Sequence, residues 1–111
     1  MAPENLTVGT PYYRVTYADA TRTIPGVQPM IYVGVNIFSD DDPDTAVYYF
    51  QDTVSYALMG SIASAEHETE HSDVEVQVFP HTEADVDTEV MTLPEVVAAL
   101  ADALKRAAWR H

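Results

Sequence analysis

The chain has no cysteine among its 111 residues. Disulfides, thiolate metal sites and cysteine nucleophiles are therefore excluded, and any metal ligation falls to His, Asp and Glu. Positive charge is nearly as scarce: five Lys and Arg stand against 18 Asp and Glu, a formal net charge of -13 with the four His neutral. A field of that sign repels DNA, RNA and anionic lipid and speeds encounter with a basic partner, so direct nucleic-acid contact is not expected. Only four glycines occur, all scattered, which leaves no Gly-rich phosphate loop and argues against an NTPase or a dinucleotide enzyme. No G-x-S-x-G elbow is present, and Ser55, Ser61, Ser64 and Ser72 occur in no triad-like context. No apolar run reaches the length of a membrane span. The opening residues Met1-Ala2-Pro3-Glu4-Asn5 carry neither a basic nor an apolar stretch, so no signal peptide is visible and a cytoplasmic location is the default expectation.

What is present fits a single domain that can bury roughly 65% of its unfolded surface without staples. Residues 1–10, punctuated by Pro3 and Gly9 and followed by Pro11, read as a flexible lead-in to a domain over 11–111. The acidity has a bland explanation in solubility or in a salt-rich proteome, where a Debye length of about 3 Å at 1 M mutes self-repulsion. One Lys against four Arg accords with that, or with a GC-rich genome.

Strand signals begin at Tyr12-Tyr13-Arg14-Val15-Thr16-Tyr17, where β-preferring residues alternate with polar ones. Pro25-Gly26 reads as a turn and Pro29 as a boundary before Met30–Phe38, which is apolar on both faces, as a central strand would be. Gly34 within it marks a bulge or a close backbone approach. After the acidic turn from Ser39 to Asp44, residues 46–51 read as a strand leading into a short helix that Asp52 caps and Gly60 ends. Residues 61–72 are polar, without an apolar face. Asp73–Phe79 alternates up to Pro80, giving a strand with Val74, Val76 and Val78 inward, and it is expected to form a hairpin with residues 83–91. Thr92-Leu93-Pro94-Glu95 matches a capping box. The following helix places Leu93, Val96, Val97, Leu100 and Leu104 on one side, with Lys105, Arg106 and Arg110 near its negative end. No internal repeat or heptad is present. The fold class expected is α+β: a four- to five-stranded, mainly antiparallel sheet with one long C-terminal helix and a short middle helix.

The most distinctive segment is Thr82-Glu83-Ala84-Asp85-Val86-Asp87-Thr88-Glu89-Val90, with an acid at every second position. Period two is the period of a strand, so Glu83, Asp85, Asp87 and Glu89 are expected on one face, roughly 6.6 Å apart, opposite Ala84, Val86, Thr88 and Val90. Such a face is either well hydrated, serves as ordinary edge protection, or meets positive charge. With Glu75 and the cluster Asp40, Asp41, Asp42 and Asp44, these acids are the candidate partner-binding residues.

Two metal patterns compete with this. His67-Glu68-Thr69-Glu70-His71 matches H-E-x-x-H, in which two His one helical turn apart hold zinc and the Glu polarises water. Residues 63–73 offer almost nothing apolar with which to hold such a helix rigid. Asp40, Asp42 and Asp44 imitate the first ligands of a calcium loop, but the sixth position is Thr45 rather than Gly and the twelfth is Gln51 rather than Glu. No cofactor is therefore expected, with His67 and His71 the only metal alternative. The seven tyrosines can bury rings or anchor an interface.

In size and acidity the chain looks like the immunity proteins of bacterial toxin systems, which are often small, acidic and α+β, although no motif carries that likeness. The expectation is a non-catalytic binding protein that docks on a basic macromolecule, as a toxin inhibitor or a nucleic-acid mimic would. Alternatives are a zinc-dependent hydrolase using His67, Glu68 and His71, and a structural or homo-oligomer-forming domain of a salt-adapted organism.

Overall fold

The computed structural model describes residues 1–64 and 75–107. In chain order it contains β1 (Pro11–Tyr17), β2 (Pro25–Val35), β3 (Tyr48–Asp52), α1 (Thr53–Met59), β4 (Val78–His81), α2 (Glu83–Glu89), β5 (Val90–Met91) and α3 (Leu93–Ala107). The strands form one antiparallel sheet in the spatial order β4-β3-β2-β1-β5. The α+β class, the sheet, the short middle helix and the long C-terminal helix all match the sequence expectation. No described helix is long and apolar enough to cross a membrane.

The doubly apolar stretch from Met30 does lie at the centre of the sheet, but β2 starts earlier, at Pro25. Pro25 and Pro29 are tolerated inside it because β3 joins β2 only from Met30 onward, which leaves one side of the Pro25–Pro29 stretch without a ladder to interrupt. The pairing of β2 with β3 slips between Tyr32 and Gly34. Gly34 has φ 141°, and a Cβ there would stand 2.7 Å from Ile37 Cγ2, so the bulge requires glycine.

Tyr12, Met30, Tyr32 and Phe50 face one side of the sheet and pack with Val86 and Val90 into the main core cluster, joined by the partly buried Met1, Leu6, Tyr48 and Phe79. Residues 1–10 thus lie against the sheet. The Gly9 amide donates to the Tyr32 carbonyl at 2.9 Å, and the Tyr32 amide donates to Thr10 at 3.2 Å. On the opposite side, Gln51 donates to the Ser55 hydroxyl at 2.9 Å and to the Gly60 carbonyl at 3.1 Å, and accepts from the Ile62 amide at 2.9 Å. That buried network fastens α1 to β3. Asp52 caps α1 by accepting from the Ser55 amide, and Gly60 ends the helix, as expected.

Three expectations are corrected. Residues 83–89 form helix α2 rather than a strand. The Thr82 hydroxyl accepts from the Asp85 amide at 3.1 Å while the Asp85 carboxylate accepts from the Thr82 amide at 3.1 Å, a complete capping box. Glu83 and Asp85 also sit in the first turn, where the helix dipole favours anions. Val86 and Val90, four residues apart, then reach the core together. The hairpin of 73–79 with 83–91 consequently does not form. Strand β4 starts only at Val78, pairs with β3, and carries Pro80 within it, which an edge strand allows. Val76 is half-buried ahead of that strand, and Val74 lies outside the described residues.

The third correction concerns α3. Glu95 does reach back to the Thr92 amide at 3.1 Å, but the Thr92 hydroxyl donates to the same carboxylate at 2.8 Å instead of accepting an amide. Of the apolar side expected to rest on the sheet, Val96 is buried, with Ala103, while Leu93, Val97, Leu100 and Leu104 face outward. The helix lies along β1 near one margin of the sheet, so only part of its apolar arc finds a surface to cover.

Candidate functional site

Register fixes which acids come together. Val35 at the end of β2 pairs with Tyr48, and Tyr48 pairs with His81 at the end of β4. The loop over residues 36–47 and the start of α2 at Glu83 therefore leave the sheet at the same end. Pro11, opposite Ile31, brings the start of β1 there too. Asp40, Asp41, Asp42 and Asp44 thus share an end of the sheet with the first acids of α2, despite about forty intervening residues. Glu75 is at the other end, two residues before Gln77, whose amide donates to the Asp52 carboxylate at 2.9 Å.

The 36–47 loop is built by its own polar groups. Asn36 sits at φ 48°, a backbone region that asparagine tolerates. Its amide donates to the Val47 carbonyl at 2.9 Å, and its side-chain oxygen accepts from the Val47 amide at 2.8 Å, which clamps the loop shut. Asp41 accepts from the Phe38 amide at 3.0 Å and from the Tyr49 hydroxyl at 2.7 Å. Asp42 accepts from the Asp44 amide at 2.9 Å. These two carboxylates shape the turn, as Asx turns do, and do not gather around a central cation position. Among the described residues the Asp40 and Asp44 carboxylates have no hydrogen-bond partner, and both residues are exposed.

Phe38 stands beside them, 42% exposed, with its ring edge-to-face against Tyr49 at 4.9 Å. The sequence did not single out this phenylalanine. Only the loop closure that pins it on Tyr49 distinguishes it from an ordinary strand residue. The hydrogen bond to Asp41, then burial, then the charges of Asp41 and Asp40 push the Tyr49 phenol up to about 12.

Helix geometry divides the acids of α2 into two pairs, because residues four apart share a face. Glu83 and Asp87 look outward and line a shallow depression with Ala2, Pro3, Glu4 and Ala84. Glu4, unnoticed in the sequence, thus adds a third carboxylate there. Asp85 and Glu89 take another face, where they line a second depression with Arg14, His81 and the residues of β4. Glu89 accepts from the Arg14 guanidinium at 3.0 Å. The Asp85 carboxyl is held below its usual range by the hydrogen bonds from the Thr82 amide and hydroxyl, with smaller help from His81 and Arg14. His81 is buried, with Nδ1 3.1 Å from the Phe79 carbonyl and its ring edge-on to Phe50 at 5.0 Å. Asp85 is therefore occupied by the Thr82 cap and Glu89 by Arg14, while Glu83 and Asp87 remain available to a ligand.

No group of three or more His, Asp or Glu among the described residues could hold a metal ion. His67, Glu68 and His71 of the H-E-x-x-H pattern lie outside the described residues. No protein-family model matches the chain, and no curated protein or solved structure is similar to it.

Proposed function

We propose that the protein is a non-catalytic acidic binding module of the cytoplasm that docks on a basic macromolecular partner, as an inhibitor or nucleic-acid mimic would. The observation that carries this reading is the meeting, at one end of the sheet, of free carboxylates with an exposed ring. Asp40 and Asp44 follow Phe38 on a loop that Asn36 and Asp41 pre-shape, while Glu83, Asp87 and Glu4 line a separate depression on the face of the sheet that α2 covers. The carboxylates steer a cationic partner and set its orientation, while the aromatic ring supplies the desolvated contact that charge alone does not. A loop closed by its own hydrogen bonds loses little freedom on binding, which favours affinity. Of the nine acids expected from the sequence, Asp85 is spent on the Thr82 cap and Glu89 on Arg14, Asp41 and Asp42 on the loop itself, and Glu75 lies elsewhere. The proposed contact set is Asp40, Asp44 and Phe38, with Glu83, Asp87 and Glu4 adding to the steering field from the other face.

Capture from the native source at moderate salt tests it. A basic protein should be retained and should elute as salt rises, because screening weakens exposed ion pairs. Combined Asp40→Lys, Asp44→Lys and Phe38→Ser should abolish retention, whereas Glu75→Lys, a charge reversal at the other end of the sheet, should leave it intact. Equal retention by the triple variant and the wild type would refute the proposal.

A further inference from the structure

His81 is 4% exposed and packs its ring edge-on against Phe50, yet one of its two nitrogens is unused. Nδ1 stands 3.1 Å from the Phe79 carbonyl. A carbonyl only accepts, so Nδ1 carries the proton and Nε2 of the neutral ring is left with a bare lone pair. Nε2 has no hydrogen-bond partner among the described residues. No fully buried side-chain nitrogen or oxygen among them lacks a partner. Nε2 therefore opens to solvent, and the opening that His81 lines is a depression of 190 Å³ between α2 and β4, shared with Arg14, Val78, Pro80, Asp85 and Glu89.

The walls set the charge of what fits. Arg14 and Glu89 cancel in their ion pair, while the Asp85 carboxyl, held ionised by the Thr82 cap, leaves one negative charge without a counter-ion. Neither carboxylate is saturated, because each offers about four acceptor positions and Glu89 receives a single bond from Arg14 Nε. The side-chain capacity left on α2 and β4 is thus all acceptor, which selects a monocation rich in N–H donors. Asp85, Glu89 and His81 do not close around one point, since among the described residues no three such side chains could hold a metal ion. A point charge such as an ammonium cannot meet them all. A guanidinium, planar and with its N–H donors in a fixed fork, spans separated acceptors. Val78 and Pro80 offer apolar surface to the methylenes behind it.

We propose that this depression receives one guanidinium, that of an arginine side chain in a polypeptide, with Asp85 as its counter-charge and neutral His81 as its most buried acceptor. The site lies beside α2 and does not depend on the Phe38 loop. Protonation of His81 turns the acceptor into a donor and adds a positive charge, so occupation requires the neutral ring. The groups facing that ring are Arg14 from β1, Tyr48 and Phe50 from β3, and Asp85 and Glu89 from α2.

Titration of the full chain with Nα-acetyl-arginine amide, followed by amide proton–nitrogen resonances, provides the test. Resonances of His81, Asp85 and Glu89 should shift and saturate with a dissociation constant on the order of 1 mM. The uncharged isostere Nα-acetyl-citrulline amide should cause no shift, and Nα-acetyl-lysine amide should bind at least about tenfold more weakly. Acidification from about pH 7.5 to about pH 5.5, a range in which histidines titrate and carboxylates do not, should weaken the arginine probe at least about threefold. Asp85→Asn keeps an acceptor for the Thr82 amide and should abolish binding. His81→Phe keeps a ring against Phe50 and should weaken binding and remove its pH dependence. Asp102→Asn, which changes the net charge equally from outside the depression, should bind as the wild type does. The absence of a saturable shift, equal binding of the citrulline or lysine probe, equal weakening by Asp102→Asn, or unchanged strength and pH dependence in His81→Phe overturns the proposal. Shifts with free arginine but none with the capped amide overturn the polypeptide source.

Discussion

Replacing Val86 by alanine tests whether residues 83–89 lie on the molecule as a helix. Val86 is fully buried, in the cluster formed by Tyr12, Met30, Tyr32, Phe50 and Val90. Val86→Ala removes two methyl groups from a site that can collapse only partly, at about 1–1.5 kcal/mol each, for a gross loss of about 2–3 kcal/mol. Alanine is the better helix former by roughly 0.5 kcal/mol, which offsets a part. The net expectation is about 2 kcal/mol, or a fall in melting temperature of roughly 8 °C for a domain of this size. Urea unfolding followed by circular dichroism should place the loss in the midpoint, with the m-value unchanged. Thr88→Lys is the decisive companion. On a strand, Thr88 would share the buried face of Val86 and Val90, and a lysine there would be severely destabilising. On α2 it is exposed, and the substitution should stay within about 0.5 kcal/mol. Comparable destabilisation by the two variants, or none from Val86→Ala, would refute the helical placement and with it the division of the acids into an outward and an inward pair.

Further predictions concern the groups that hold the site in place. Gln51→Leu removes the acceptor of the buried-network bond from the Ile62 amide and should cost about 2–3 kcal/mol in chemical denaturation, since Gln51 is completely buried. Burial raises the Asp52 pKa, but hydrogen bonds from the Ser55 hydroxyl and from the Gln77 and Ser55 amides outweigh it and leave the folded value below 3.8. A depressed folded pKa contributes stability that is complete above the unfolded value and lost as pH falls through the folded one. Asp52→Asn should therefore flatten the acid side of the stability profile below about pH 4, as pH-dependent melting would record. The raised Tyr49 pKa has the opposite sign: its contribution is full below about pH 10 and disappears as pH rises through about 12. Asp41→Asn should bring the Tyr49 phenol into the range of ordinary tyrosines, seen in alkaline absorbance titration against Tyr49→Phe.

The two well-patterned helices differ in how far the sequence could define them. For α1, the sequence supplies both a cap at Asp52 and a stop at Gly60, and local hydrogen bonding suffices to place its ends. For α2, the alternation of acids and valines in Val86-Asp87-Thr88-Glu89-Val90 has the period of a strand, but Thr82-Glu83-Ala84-Asp85 holds a capping signal of the same kind as Thr92-Leu93-Pro94-Glu95. Seven residues are too few for periodicity to outvote a cap. Val86 and Val90, one helical turn apart, gain more by entering the core together than an alternating strand would at the sheet edge.

By itself the sequence determined the acidity, the absence of thiol chemistry, the central apolar strand, the short middle helix and the long C-terminal helix, because each follows from composition or from neighbours along the chain. Only the tertiary structure decided which carboxylates are free. Arg14 reaches Glu89 across 75 residues, Tyr49 takes Asp41, and strand register carries Glu75 away from Asp40 and Asp44. It also decided that four of the five large apolar side chains on the apolar side of α3 remain uncovered. Pairing across the sheet and the width of the surface under a helix are set by contacts between residues distant in sequence, and local pattern holds no record of them.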